Sequence, residues 1–168
     1  MSPLARRISI FALLGVLLLG FMGWWYSPTQ VMKRRCDSFF NVISFSEKQE
    51  PTAKQVQALK LADFLDRDIT ISGPQISEEI ESPISRGELQ AVFSAIAEAS
   101  SFIAITEREY EFIGVDGDEA TAQVMVTVEI GHPEAASRFN GSHRMMLNWH
   151  RVKKVWVIDK VAMERITR

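Results

Sequence analysis

Six side chains in this 168-residue chain stand out as candidates for general acid–base work: Asp63, Asp66, Tyr110, His143, His150 and Asp159. Such chemistry needs a carboxyl, imidazole or phenol in a dry pocket, where lost hydration moves its pKa. Asp63 and Asp66 lie one helical turn apart, yet Asp66 runs into Arg67-Asp68, which reads as the end of a helix. His143 shares strand parity with Met145, Leu147 and Trp149, and His150 shares it with Arg144 and Asn148, so one of the two faces the covered side of a sheet. Asp159 shares parity with Val155, Val157 and Val161, opposite Trp156 and Ile158, and is expected on the less covered face beside a basic neighbour. His143, Asp63 and Tyr110 remain as catalytic candidates. Each also has a more ordinary reading as a hydrogen-bonded structural residue.

Other chemistries find little support. His132, His143 and His150 show neither HxxH nor HxH spacing, and no nucleophile elbow or glycine-rich phosphate loop occurs. No metal or cofactor is expected. The single cysteine, Cys36, rules out an internal disulfide and a cysteine-rich metal site, and reads as a half-buried helix residue. Glu78, Glu79 and Glu81 form an acidic loop suited to solvent or to a basic partner, and Arg151, Lys153 and Lys154 form a basic turn that protects a hairpin end.

The elements that must position these residues begin with "RRISIFALLGVLLLGFMGWWYSPTQVMKRRC", from Arg6 to Cys36. Residues 8–26 carry no charge and as a helix would span roughly 28 Å, about one hydrocarbon core. The run ends in Gly23-Trp24-Trp25-Tyr26 rather than in a small-residue cleavage site, so it reads as an uncleaved anchor. Ile8 opens it, and Trp24, Trp25 and Tyr26 are interfacial anchors whose rings suit the headgroup level. Gly15 and Gly20 offer close packing to another membrane helix. Arg6 and Arg7 directly precede the run, while Lys33, Arg34 and Arg35 follow at a distance, which favours a cytoplasmic N-terminus and a domain outside the cytoplasm. Lys33, Arg34 and Arg35 either rest on anionic headgroups or form a solvated helix face. With Arg6 and Arg7 ahead of the run, 17 of the 19 basic residues remain against 21 acidic ones, about −4, which argues against a nucleic-acid partner.

The sequence therefore divides into a tail at 1–7, a transmembrane helix at 8–26 and one α+β domain at 27–168. From Thr29 to Ser44 a broken apolar stripe (Val31, Phe39, Phe40, Ile43) predicts a helix. A second helix is expected with Thr52 as N-cap and Val56, Leu59, Ala62 and Phe64 as its core face. "DITISG" reads as a short strand. Ser85 with Glu88 forms a capping box for a third helix, whose apolar face is Leu89, Val92, Phe93, Ile96 and Ala97. Two extended runs flank Asp116-Gly117, a hairpin signal, with Ala120, Ala122, Val124, Val126, Val128 and Ile130 on one face. "GHPEAASRFNGS" reads as a long connection. A closing hairpin follows, turning at Val152 to Lys154, with Trp156 and Ile158 facing the helices beside Val124 and Val126 on neighbouring strands.

This order of elements, together with the terminal pair "HRMMLNWHRVKKVWVIDKVAMERI", resembles the nuclear transport factor 2-like superfamily, whose SnoaL-like and ketosteroid-isomerase-like members are cones. The resemblance covers roughly Ser27 to Ile166. It implies three helices wrapped by a curved, mainly antiparallel sheet, with a cavity that holds a ligand, a catalytic pair or nothing. One span followed by one cone is also the layout of VirB8-type periplasmic subunits of type IV secretion systems. The resulting expectation is a non-catalytic accessory subunit, single-pass in a bacterial inner membrane, whose partners are the lipid bilayer and other membrane protein subunits. The alternative is a membrane-tethered cone enzyme or small-ligand-binding protein with an acid–base pocket.

Overall fold

The computed structural model describes residues 3–47, 49–73, 83–131 and 138–166, with side chains from 13 onward apart from those of 138 and 139. Helix α1, Pro3–Trp25, is continuous over 23 residues, so it takes in residues 3–7 as well. Its leucines from Leu13 to Leu19, and Phe21, Trp24, Trp25 and Tyr26 after them, are exposed, and the Arg34 guanidinium lies over the Trp25 ring. Around Gly15 and Gly20 there is open space. Among the described residues no helix is long and apolar enough to cross a membrane; the Ile8 side chain lies outside them.

Only Tyr26 and Ser27 separate α1 from helix α2, Pro28–Ile43. The Ser27 hydroxyl accepts from the Gln30 N–H at 3.4 Å, and Pro28 occupies the first turn, where a missing N–H costs nothing. Met32, Cys36, Phe39 and Phe40 repeat at helical spacing and are all buried. Cys36 is fully buried rather than half-buried, because it sits in the middle of that stripe.

Helix α3, Pro51–Leu61, starts two residues earlier than expected, with Glu50 and not Thr52 at the cap, since Pro51 fits the first helical residue. Its buried residues are Ala58 and Leu61. Leu59 is 68 % exposed and Val56 is exposed too, so of the expected stripe only its later part, half-buried Ala62 and buried Phe64, turns inward. The reason is local: the helix tightens into a 3₁₀ turn at Ala62–Phe64 and passes straight into a strand, which rotates Phe64 and Leu65 into the core. Helix α4, Arg86–Ala99, has the expected capping box, with Ser85 and Glu88 each holding the other's backbone N–H. Ala97 is buried and Leu89 and Phe93 pack on the core, but Val92 and Ile96 stay exposed.

The strands are β1 (Leu65–Ser72), β2 (Ile84–Ser85), β3 (Phe102–Asp116), β4 (Glu119–Gly131), β5 (Arg138–Val152) and β6 (Val155–Ile166), ordered β2-β1-β6-β5-β4-β3. All pairings are antiparallel except β1 with β6. The sheet is therefore mixed, and with four helices the chain is α+β, consistent with a cone. Ala120, Ala122, Val124 and Val126 are buried on the inner face, as are Met145, Leu147, Trp149, Trp156 and Ile158. Val124 and Val126 share that core with Trp156 but are not on an adjacent strand, since β5 lies between β4 and β6. Arg138 to Ser142, expected as connection, pair with β4 as strand. Between Asn148 and Trp149 the β5–β6 register shifts: Trp149 opposes Ile158 and Asn148 opposes Lys160. The extra residue is Asp159, and beyond it Val161 returns to the inner face opposite Leu147. That bulge breaks the alternation expected through Val161. Glu78, Glu79, Glu81 and His132 lie outside the described residues.

These placements separate two leucines on one helix. Leu61→Ala is expected to destabilise by about 2–5 kcal/mol and Leu59→Ala by less than about 0.5 kcal/mol in urea unfolding. Trp156→Ala, which empties a buried site, should cost roughly 3–5 kcal/mol.

Candidate functional site

The inside of the cone, where a pocket would be expected, is filled by side chains from α2 and the sheet. Phe39 meets Trp149 edge to face, with ring centroids 6.2 Å apart, and Phe40 and Phe64 flank Phe39. The Trp149 indole N–H, buried without a hydrogen-bonding oxygen or nitrogen, interacts with the Cys36 thiol. Burial first, and then Asp37, push that thiol up to about 12. At neutral pH it is protonated and is no nucleophile.

The three catalytic candidates stand against three different sets of neighbours. Tyr110, on β3, donates to Asp37 Oδ1 at 2.5 Å, and the Lys33 ammonium lies 5.2 Å from its ring centroid. Burial, followed by the hydrogen bond to Asp37, raises its pKa strongly, so the phenol stays a donor. Together with Arg108, which donates to Asn41 Oδ1 at 2.8 Å, it fastens the sheet margin to α2. Asp63 is exposed in the 3₁₀ turn, and it is its carbonyl oxygen that takes part, accepting from Arg35. His143 is 4 % exposed on the inner face, opposite Val126 on β4 and Arg165 on β6. Burial, and secondarily the charge of Arg165, hold its pKa below the usual imidazole value. A Cβ at Gly141 would lie 3.0 Å from His143 Nε2, so the glycine makes room for the ring.

A constellation that parity alone did not reveal sits on the outer face. His150 Nε2 lies 3.5 Å from Asp66 Oδ2, and Nδ1 lies 3.9 Å from Asp159 Oδ2. It arises because β1 joins β6 in parallel through a crossover and the bulge turns Asp159 toward β5. Neither event leaves a periodic mark in the sequence. An imidazole between two carboxylates can pass a proton, but all three groups are partly open to water. Among the described residues no cluster of His, Cys, Asp and Glu is arranged to hold a metal ion.

Two of the clefts on the described surface lie near these residues. One, of about 700 Å³, runs along the outer margin of β3 and is lined by Phe45, Gln49, Phe102, Ile105, Thr106 and Arg108. Phe45 and Ile103 exchange backbone hydrogen bonds at 2.8 and 3.0 Å, and β3 carries register shifts between Thr106 and Phe112, both of which blunt an otherwise unpaired edge. The other, about 460 Å³, lies between Arg35, Asp63, Asp66, Arg86 and Lys153. Neither His143 nor Tyr110 lines it.

Two measurements check this geometry. Tyr110→Phe leaves Asp37 without its donor and should destabilise by about 1–2 kcal/mol. His143 contributes a pH dependence of defined sign: with the folded pKa below the unfolded one, the unfolded chain binds the proton first, so stability falls as pH drops through about 6.5. His143→Gln should flatten that fall in thermal melts between about pH 7.5 and 5.5.

No protein-family model matches the chain, and no curated protein matches its sequence. Solved structures do match its shape. A nuclear transport factor 2-like protein from Cytophaga hutchinsonii superposes with a TM-score of 0.60 at 13 % identity, covering 83 % of this chain and 99 % of that one. A ketosteroid isomerase-like protein from Erwinia carotovora atroseptica gives 0.60 at 12 % identity, covering 85 % and 99 %. A protein of unknown function from Mycobacterium tuberculosis gives 0.57 at 18 % identity, covering 84 % and 78 %. At such identities the likeness is one of fold: the chain carries a nuclear transport factor 2-like cone.

Proposed function

We propose that this protein is a membrane-anchored, non-catalytic subunit whose cone docks other subunits of a membrane complex. The observation that carries the proposal is the bare apolar helix and its short, braced junction with the cone. Helix α1 presents leucine, phenylalanine and tryptophan side chains that stay exposed, which an aqueous surface tolerates poorly. In the sequence the uncharged run reaches back to Ile8, and as a helix residues 8–26 would span roughly 28 Å, about one hydrocarbon core. Arg34 donates to the Trp25 carbonyl at 2.8 Å and stacks over its ring at 4.3 Å, which braces the cone against the end of the helix. A domain held this way has little reach, and that suits a fixed neighbour better than a diffusing substrate.

The filled interior favours the same reading over an enzyme. Tyr110 and Asp63 are engaged in holding α2, and His143 is set in the sheet away from both clefts. Arg6 and Arg7, directly before the uncharged run, favour a cone on the far side of a bacterial inner membrane, in the periplasm. Gly15 and Gly20, open on the surface of α1, are where a partner helix would pack, and the β3 cleft is where a partner domain would sit.

The experiment is a comparison of full-length protein with a form lacking residues 1–26. The full chain should stay with membranes through a carbonate wash and co-purify with membrane proteins in mild detergent, and the shortened form should do neither. Asp63→Ala and His150→Gln should leave association and the activity of the complex within about twofold. Loss of activity in either variant with assembly intact would replace this reading with the tethered enzyme, acting through the outer-face histidine.

A further inference from the structure

We propose that the β5–β6 turn, Val152-Lys153-Lys154-Val155, rests on the anionic phosphate headgroups of the bilayer that holds α1; this rests on the membrane-anchored reading above. Conformation is the first reason. Lys153 and Lys154 have φ of +47° and +72°, the left-handed pair that a two-residue type I′ hairpin requires. Asn-Gly meets that requirement with least strain, whereas two residues with long side chains pay for it in backbone energy. Strain kept at a tip with no packing role points to what the side chains do there.

Chemistry is the second. Within the described residues neither lysine has a salt-bridge partner. Val152 and Val155 beside them are 41 % and 48 % exposed. Short apolar side chains flanked by ammonium groups on flexible stems match a lipid interface: the valines enter the headgroup region while the lysines reach back to phosphate.

Position is the third. Arg34 holds the end of α1 through the Trp25 carbonyl, and the next residue, Arg35, donates to the Trp156 carbonyl at 3.1 and 3.2 Å. Arg35 and Lys153 line the same cleft. The turn therefore lies at the end of the cone where α1 joins it. The neighbouring β3–β4 turn is acidic, with Asp116, Asp118 and Glu119. Glu119 stands opposite His150 and the Asp118 carbonyl accepts from the Arg151 N–H, so the lysine turn projects about two residues, roughly 7 Å, farther. Asp118 is itself paired with Arg151 at 3.4 Å. The basic tip reaches the surface first.

The test uses the full-length chain in vesicles of phosphatidylcholine alone or of phosphatidylcholine with phosphatidylglycerol. An environment-sensitive fluorophore is attached at Val152→Cys; the native Cys36 is fully buried and does not compete. Emission should shift to the blue with phosphatidylglycerol present, stay unshifted without it, and return toward the water value as salt is raised. Lys153→Asn with Lys154→Gly removes both charges while supplying the preferred turn pair. That variant should melt no lower than the parent yet shift the balance from docked to undocked roughly thirtyfold, about fivefold per lysine near an anionic surface. A chain that floats with the vesicles while its fluorophore stays in water in both lipids overturns this proposal and leaves the anchor standing. So does an equal shift in phosphatidylcholine alone, or a shift that survives in the Asn-Gly variant. Failure of the chain to float with vesicles overturns the anchor and this proposal together.

Discussion

Burial of one face of α2 is the constraint on which the rest depends. Met32, Cys36, Phe39 and Phe40 lie against Trp149, Leu147, Val124 and the neighbouring inner-face residues. Each large side chain moved from water into such a core contributes on the order of 1.5–3 kcal/mol. The same helix begins two residues after α1 ends, carries Arg34 to the end of α1, Arg35 to the β5–β6 hairpin and Asp37 to β3. Shifting α2 by a turn would undo the core, the sheet margin and the junction with α1 together.

Polar groups around that helix close its margins. The Arg35 guanidinium stacks over Phe64 at 4.0 Å and donates to the carbonyls of Asp63 and Trp156, so one cation ties α2 to the 3₁₀ turn and the first residues of β6. Burial pulls its pKa down and Asp63 opposes that, yet an arginine remains charged and is a dependable donor. Lys54 does a similar service elsewhere, donating to the carbonyls of Ala97 and Ser100 at 3.2 and 2.8 Å and so joining α3 to the end of α4. On the outer face Glu111 takes Arg144 at 2.9 Å and Gln123 at 2.6 Å, which holds its carboxyl below the usual range. These links on an exposed surface fix strand register more than they add stability.

A filled cone and a bare helix divide the labour of the molecule. In a cone with an open interior the conserved geometry of helices over a curved sheet encloses reactants. Here aromatic side chains occupy that volume, and the clefts at the strand margin and beside the β5–β6 turn lie on the surface. The shape shared with solved cones at 11–18 % identity is a matter of layers and strand order, and it leaves the choice of chemistry to individual side chains.

Much of this was legible in the residues. An uncharged run ending in aromatics specifies a helix with no polar face, Ser85 with Glu88 specifies a cap, and the alternation from Ala120 to Val126 specifies one buried face, because each rests on contacts within a few residues. The inner placement of Trp156 followed from the same parity, which left open whether His143 or His150 faces inward. What parity could not supply was set by how one element passes into the next and by contacts distant in sequence. The face that α3 buries was decided by the 3₁₀ turn that follows it, which is why Leu59 is exposed and Leu61 is not. Asp159 left its strand's alternation because a bulge inserted it, and only that bulge, with β1 laid parallel to β6, brought Asp66 and His150 within 3.5 Å. Local sequence determines which residues can share a face; the tertiary fold decides which faces meet, because pairing between distant strands is selected by the summed burial of the whole core rather than by any one segment.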